Sequence, residues 1–123
     1  MKRVLIADDE PIERMIVSRT VEKYFSEELT VVSAANGREA VEQFFAENCQ
    51  IALLDIEMPG MNGLEAAEQI RERDKNCSII FLTAFDEFNY AKRAIAVRAM
   101  EYLLKPVEDQ ELVAVLEEAV RIA

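Results

Sequence analysis

The stretch Ile51-Ala-Leu-Leu-Asp55-Ile-Glu57-Met-Pro59-Gly60-Met-Asn-Gly63 decides how this chain folds. Four apolar residues run straight into one carboxylate, and the turn pair Pro59-Gly60 follows. A continuous apolar run bounded by turn residues reads as a strand buried on both faces. Asp55 then stands where a central strand leaves the core. In open parallel sheets, ligands bind outside the carboxyl ends of the strands. A single aspartate there could simply cap a loop. That reading loses because three other strand ends carry matching chemistry.

The 123 residues suffice for one domain with a sizeable core. Charge is strongly acidic, with 24 acidic against 14 basic residues and a net charge of −10. This argues against a direct grip on nucleic acid or an anionic membrane and favours a cation or a basic partner. No apolar run approaches the roughly 20 residues that span a bilayer. Asp8 and Asp9 end the first apolar run too early for a secretory signal. Cys49 and Cys77 lack metal or redox spacing and read as small core residues of a reduced cytoplasmic protein. The absence of histidine removes His-dependent triads and His-ligated zinc. With three glycines there is no phosphate-cradling glycine loop, so a bound nucleotide is not expected.

Outward from the central stretch, strands are expected at 3–7, 29–34, 78–83 and 101–104. Pro11 opens a first helix with a broad apolar face through Ile12, Met15, Ile16, Val17, Val21, Tyr24 and Phe25. Asn36 with Glu39 three residues on resembles a capping box for the second helix. Asn62 is the expected cap of the third, which buries Leu64, Ala67 and Ile70. A fourth helix, from about Glu87 to Val97, is expected to bury Phe88, Ala91 and Ile95. The fifth, from about Asp109 to Arg121, is expected to bury Leu112, Val113, Leu116 and Val120. Strictly alternating strands and helices give an α/β parallel sheet covered on both faces. The purely apolar strands belong in the middle and the two polar ones at the edges. That is the doubly wound, flavodoxin-like (βα)5 order 2-1-3-4-5, with its switch point between strands one and three.

Four strand ends converge on one rim: Asp8 and Asp9, then Asp55, Thr83 and Lys105. Three packed carboxylates repel one another, and a hard cation or a facing ammonium relieves this. Mg²⁺ prefers oxygen ligands and keeps several waters. Asp9, Asp55 and the backbone carbonyl near Glu57 can supply three oxygens, and Lys105 can reach Asp55 or a phosphoryl oxygen. Phosphoryl transfer needs positioning and charge neutralisation above all, which an Asp nucleophile, a metal and a Lys provide. Thr83 can donate to a transferred phosphoryl oxygen. Pro106, in a tight strand-to-helix turn, is a candidate cis-proline.

Asp8-Asp9, the Leu54-Asp55-x-x-Met58-Pro59-Gly60-x-x-Gly63 block, Thr83-Ala84 and Lys105-Pro106 together resemble the receiver domain of two-component response regulators, over the full length of the chain. The resemblance implies that Asp55 is the phosphoacceptor, taking a phosphoryl group from the histidine of a sensor histidine kinase with Mg²⁺ as cofactor. It implies that Asp9 ligates the metal directly and Asp8 through water. Thr83, Ala84 and Lys105 become phosphoryl contacts, and Thr83 and Tyr102 a switch pair. Glu57 and Phe85 stand at positions that vary among receivers. The run from Phe85 to Ile95, with Tyr102 to Pro106, looks like the subgroup joined to AraC-type helix-turn-helix domains. Residues 1–123 would then be a regulatory domain rather than an enzyme in its own right. DNA would be reached only through an output domain absent from this chain, and the fourth helix, fifth strand and fifth helix would form a homodimer face. No membrane contact is implied.

One position departs from the family. Arg98 stands where receivers usually carry Gly, so it must accept positive φ or end the fourth helix differently. Asp55-Ile-Glu57 also approximates the motif of haloacid-dehalogenase-type hydrolases, but those usually add a cap, and their second acidic pair comes late. A flavin binder of the same architecture needs a phosphate loop after strand one, where Asp8-Asp9-Glu10 would repel phosphate. A receiver-like module that binds partners without phosphorylation would not need the complete Asp, Thr and Lys set.

Overall fold

The computed structural model describes residues 1–123. The elements alternate throughout: β1 (Lys2–Ala7), α1 (Pro11–Phe25), β2 (Leu29–Ala34), α2 (Gly37–Ala46), β3 (Ile51–Leu54), α3 (Gly63–Arg73), β4 (Ser78–Thr83), α4 (Phe88–Ala96), β5 (Glu101–Leu104) and α5 (Asp109–Ile122). All strands are parallel, in the order β2-β1-β3-β4-β5. Period-two alternation in the strands divides the interior into two cores. Leu5, Ala52, Leu54, Ile79 and Phe81 face Phe44, Leu64 and Ile70. Val4, Ile6, Ile51, Leu53, Ile80 and Leu82 face Val17, Val21, Phe25, Leu112 and Leu116. β3 and β4 are buried along their whole length, whereas the edge strands are partly open: β2 exposes Thr30 and Ser33, and β5 exposes Glu101 and Leu104.

The ladder sets the rim. Ala7 pairs with Leu54, and the Asp55 N–H donates to the Ala7 carbonyl at 2.9 Å, one step beyond the last pair. The Asp8 N–H donates to Ala34 O at 3.1 Å, and the Lys105 N–H to Thr83 O at 2.8 Å. Each strand thus delivers its functional residue to the same edge because the register continues one residue past the strand.

Local signals act largely as expected. Asn62 and Glu65 form a complete capping box at α3. Asn36 caps α2, but the Glu39 carboxylate accepts from the Ala35 N–H rather than from Asn36, so that box is not reciprocal. Gly63 is required by close approach. A Cβ there would stand 1.8 Å from the Asp55 carbonyl oxygen, while the Gly63 N–H donates to Ile56 O at 2.9 Å. Arg98 adopts φ 56°, the first of its two alternatives. Its N–H donates to Ile95 O and the Ala99 N–H to Ala94 O, a Schellman end with arginine where glycine is usual. Asn48 closes α2 the same way, at φ 53°.

Two helix faces differ from expectation. α4 buries neither Phe88, 80% exposed, nor Ile95, 78% exposed; its buried residue is Ala94, with Ala91 and Tyr90 half-buried. Beside an edge strand as short as β5, only small side chains let the helix approach the sheet. In α1 the apolar face is narrower than its composition suggests: Val17, Val21 and Phe25 are buried, and Ile12, Met15, Ile16 and Tyr24 are exposed. In α5, Leu112, Leu116 and Ala119 take the core, and Val113 and Val120 lie half-buried at its margin.

Candidate functional site: an acidic cleft at the sheet rim

The carboxyl ends of β1, β3, β4 and β5 enclose an open cleft lined by Asp9, Glu13, Asp55, Glu57, Ala84 and Lys105, among others. Asp8 is buried beside it and fully engaged. One carboxylate oxygen accepts the Glu10 N–H at 3.0 Å, the other accepts Lys105 Nζ at 2.9 Å, and its carbonyl accepts Arg14 at 2.6 Å. The Asp55 carboxylate accepts the Ile56 N–H at 2.8 Å and lies 3.6 Å from Lys105 Nζ. Glu13 stands 4.0 Å from the same ammonium. Lys105 is therefore shared by three carboxylates and sits closest to Asp8, not Asp55.

Burial pushes the Asp55 carboxyl above its ordinary range. Lys105 acts against this, Asp8 adds to it, and the hydrogen bonds from Ile56 and Thr83 act against it. Burial alone would lower Lys105, but its bond to Asp8 and the charges of Asp55, Asp8 and Glu13 raise it overall. The thiols of Cys49 and Cys77 are pushed up to about 11 by burial, which fits core residues and not reactive ones.

Carboxylate oxygens of Asp8, Asp9 and Glu10 come within 4.8 Å of one another, a grouping of hard oxygen donors that suits a divalent cation. Asp9 and Glu10 are exposed and Asp8 is buried. Glu10 was not among the sequence candidates, and Asp55 stands outside this group, linked to it through Lys105. Thr83 is fully buried, and its hydroxyl accepts the Phe85 N–H at 3.3 Å. The Phe85 carbonyl in turn accepts the Tyr102 hydroxyl at 2.5 Å. The Tyr102 ring lies tilted on Phe81, centroids 6.2 Å apart. Thr83 and Tyr102 thus meet through the two ends of one residue. The Lys105–Pro106 bond is cis, as the turn suggested.

The sequence reading missed Arg14, Glu13 and Tyr90. Asp9 and Glu13, four apart across the helix start, were the available signal for Glu13. Nothing in sequence signalled Tyr90, whose hydroxyl donates to the Glu57 carboxylate across 33 positions of chain.

A doubly wound sheet whose switch-point rim carries clustered carboxylates and a shared lysine defines an α/β domain of the receiver type. The comparison with known proteins agrees. The model of the response regulator receiver domain matches residues 4–117. The chain is 42% identical over 118 residues to the positive alginate biosynthesis regulatory protein of Pseudomonas aeruginosa, covering 96% of this chain and 47% of that protein. It is 36% identical to the chemotaxis protein CheY of Thermotoga maritima, covering 94% of each. The structure of the response regulator TrrA from Thermotoga maritima, in complex with Mg²⁺ and beryllofluoride, superposes with a TM-score of 0.83 at 38% identity, covering 97% of this chain and 99% of that one. The chain belongs to the response regulator receiver domain family, the regulatory modules of phosphorylation-dependent two-component signalling. It spans about half the length of the Pseudomonas relative. No helix is long and apolar enough to cross a membrane.

Proposed function

We propose that Asp55 accepts a phosphoryl group from the histidine of a partner sensor kinase, and that the change is passed through Thr83 and Tyr102 to the face built by α4, β5 and α5. The observation that carries this reading is the shared ammonium: Lys105 lies within 4.0 Å of Asp8, Asp55 and Glu13. An Asp55 carboxylate oxygen would form the new O–P bond as the donor's P–N bond breaks, the imidazole leaving with the bonding pair. Asp9, Asp55 and the Glu57 carbonyl would hold Mg²⁺ directly and Asp8 through water, with Glu10 beside them. Bound there, the ion neutralises phosphoryl oxygens. Lys105 has two anionic neighbours to leave and one new one to meet, so it is suited to swing from Asp8 to the phosphoryl group. The Thr83 hydroxyl and the Ala84 N–H are the donors on the facing loop.

If Thr83 turns to the phosphoryl group, it withdraws the acceptor that holds the Phe85 N–H. The Phe85 carbonyl then shifts against Tyr102, which biases a two-state element at β5. The face beyond exposes Phe88, Ile95 and Leu104, with Lys92 and Arg98 against Glu101, Glu111, Glu117 and Glu118. Arg93, beside them in sequence, pairs with Glu68 of α3 at 2.9 Å. Such a face can meet a second copy in two-fold symmetry, with opposite charges matched twice. The exposed Ile12, Met15 and Ile16 of α1, with Ile16 lining the same cleft as Asp55, suit an apolar patch on the phosphodonor kinase. Residues 1–123 would serve as the cytoplasmic regulatory part of a longer regulator whose output domain binds DNA and controls transcription; the Pseudomonas relative, a regulatory protein, is about twice the length matched here. In this reading the domain assists only its own phosphorylation and slow dephosphorylation.

Intact mass after incubation with Mg²⁺ and acetyl phosphate tests the central step. The phosphorylated mass should form in the wild type and not in Asp55→Asn. Equal labelling of both would overturn the assignment.

A further inference from the structure

The Glu57 carboxylate is the one acidic side chain lining the cleft near Asp55 that turns toward α4. Asp8, Asp55 and Glu13 all reach Lys105 within 4.0 Å, and Glu57 makes no ion pair with it. Glu57 instead accepts the Tyr90 hydroxyl, from the first turn of α4. That first turn is otherwise weakly held. Its N-cap Glu87 makes no side-chain cap, residues 84–89 are exposed, and Phe88 points to solvent. Tyr90 is the half-buried member of the turn, with its ring packed against the core. The opposite end of α4 is clamped. The buried Arg71 guanidinium donates to Val97 O at 2.8 Å, Arg98 O at 3.3 Å and Cys77 O at 2.8 Å. With the Asp74 carbonyl at 3.3 Å, four carbonyls from two segments meet one cation there, so this end is fixed by charge-assisted bonds.

We propose that Tyr90 is a positioning residue for the phosphoacceptor cleft: its hydroxyl holds the Glu57 charge against α4 and out of the path of the incoming phosphoryl group, and so ties the free end of α4 to the lip of the cleft. This rests on Asp55 being the acceptor. Without the hydroxyl, Glu57 is a mobile anion at the mouth of a site that must admit an anionic donor. It then competes for Lys105 and repels the donor. With one end of α4 fixed by Arg71, the Tyr90 contact is the latch that restrains the other.

The test compares wild type, Tyr90→Phe, Glu57→Ala and the double variant. Phosphorylated mass is followed over time with acetyl phosphate and Mg²⁺, and amide exchange is measured without either. Tyr90→Phe should label about threefold more slowly, the size expected of one displaced unit charge in a water-exposed cleft. In the Glu57→Ala background the same change should have no effect, because the charge it restrains is gone. Exchange at residues 88–92 should rise alike in both single variants and no further in the double. A Tyr90→Phe protein that labels at the wild-type rate, or that slows equally with and without Glu57, overturns the proposal. If the wild type takes no label at all, the acceptor assignment fails instead, and unchanged exchange at 88–92 in Tyr90→Phe would still refute the latch.

Discussion

Replacing Lys105 with methionine keeps most of the stem and removes the charge that three carboxylates share. Nζ lies 2.9 Å from Asp8 and 3.6 Å from Asp55, and the three side chains are 15%, 6% and 9% exposed. Coulomb's law with an effective dielectric of about 20 gives about 6 kcal/mol for the first pair and about 5 kcal/mol for the second. Desolvation of the ammonium cancels most of that sum. Breaking a buried pair by deleting one partner costs about 3–5 kcal/mol, and the partial exposure of Lys105 places this case at the lower end, about 3 kcal/mol. Urea denaturation at pH 7 would read it as a fall in the midpoint at constant slope. Because Lys105 is raised above its ordinary value, its contribution is complete below pH 10 and is lost only as pH rises through the folded value. Across pH 7–9 the deficit should therefore stay flat. Adding Asp8→Asn should recover a large part of it, because the stranded charge is then gone. A Lys105→Met protein within about 0.5 kcal/mol of wild type, the ordinary spread of surface changes, would refute the reasoning. So would a deficit that Asp8→Asn deepens.

Asp55→Asn should stabilise the unmodified domain at neutral pH. The Asp55 carboxyl is raised, so its favourable contribution exists below the unfolded value of 3.8 and is lost as pH rises through the folded value. Thermal melts should show the variant's advantage at pH 7 and its disappearance below about pH 4; an advantage that grows toward acid would contradict this. Arg98→Gly should raise stability by about 0.5–1 kcal/mol by relieving the left-handed backbone at φ 56°, read as a higher melting temperature. Gly63→Ala should lose several kcal/mol in the same assay, since its Cβ would collide with the Asp55 carbonyl.

What was legible followed from short-range chemistry. Apolar runs ending in Asp8, Asp55, Thr83 and Lys105 revealed both the strands and the rim, because a parallel sheet carries all its strand ends to one edge. The cap at Asn62 and the cis bond at Lys105–Pro106 were local enough to read. The errors came where sequence separation is large or where a face must be chosen. Phe88 and Ile95 are at helical spacing, yet they lie on the side of α4 away from the sheet, because Ala94 lets the helix approach and a phenylalanine would not. Arg93 is a surface charge, but its pairing with Glu68 on another helix has no signal in sequence spacing. The Arg71 clamp on α4 is built from backbone carbonyls, which have no sequence signature. The Asp8 preference of Lys105 is a matter of tenths of an ångström that no spacing encodes.

Borohydride reduction of freshly phosphorylated protein tests directly which of the clustered carboxylates carries the phosphoryl group. Reduction converts an aspartyl phosphate to homoserine, and tandem mass spectrometry of the peptides then fixes its position. Homoserine should appear at residue 55 and nowhere else in the acidic cleft. Homoserine at residue 8 or 9, or label that survives in Asp55→Asn, would contradict the account.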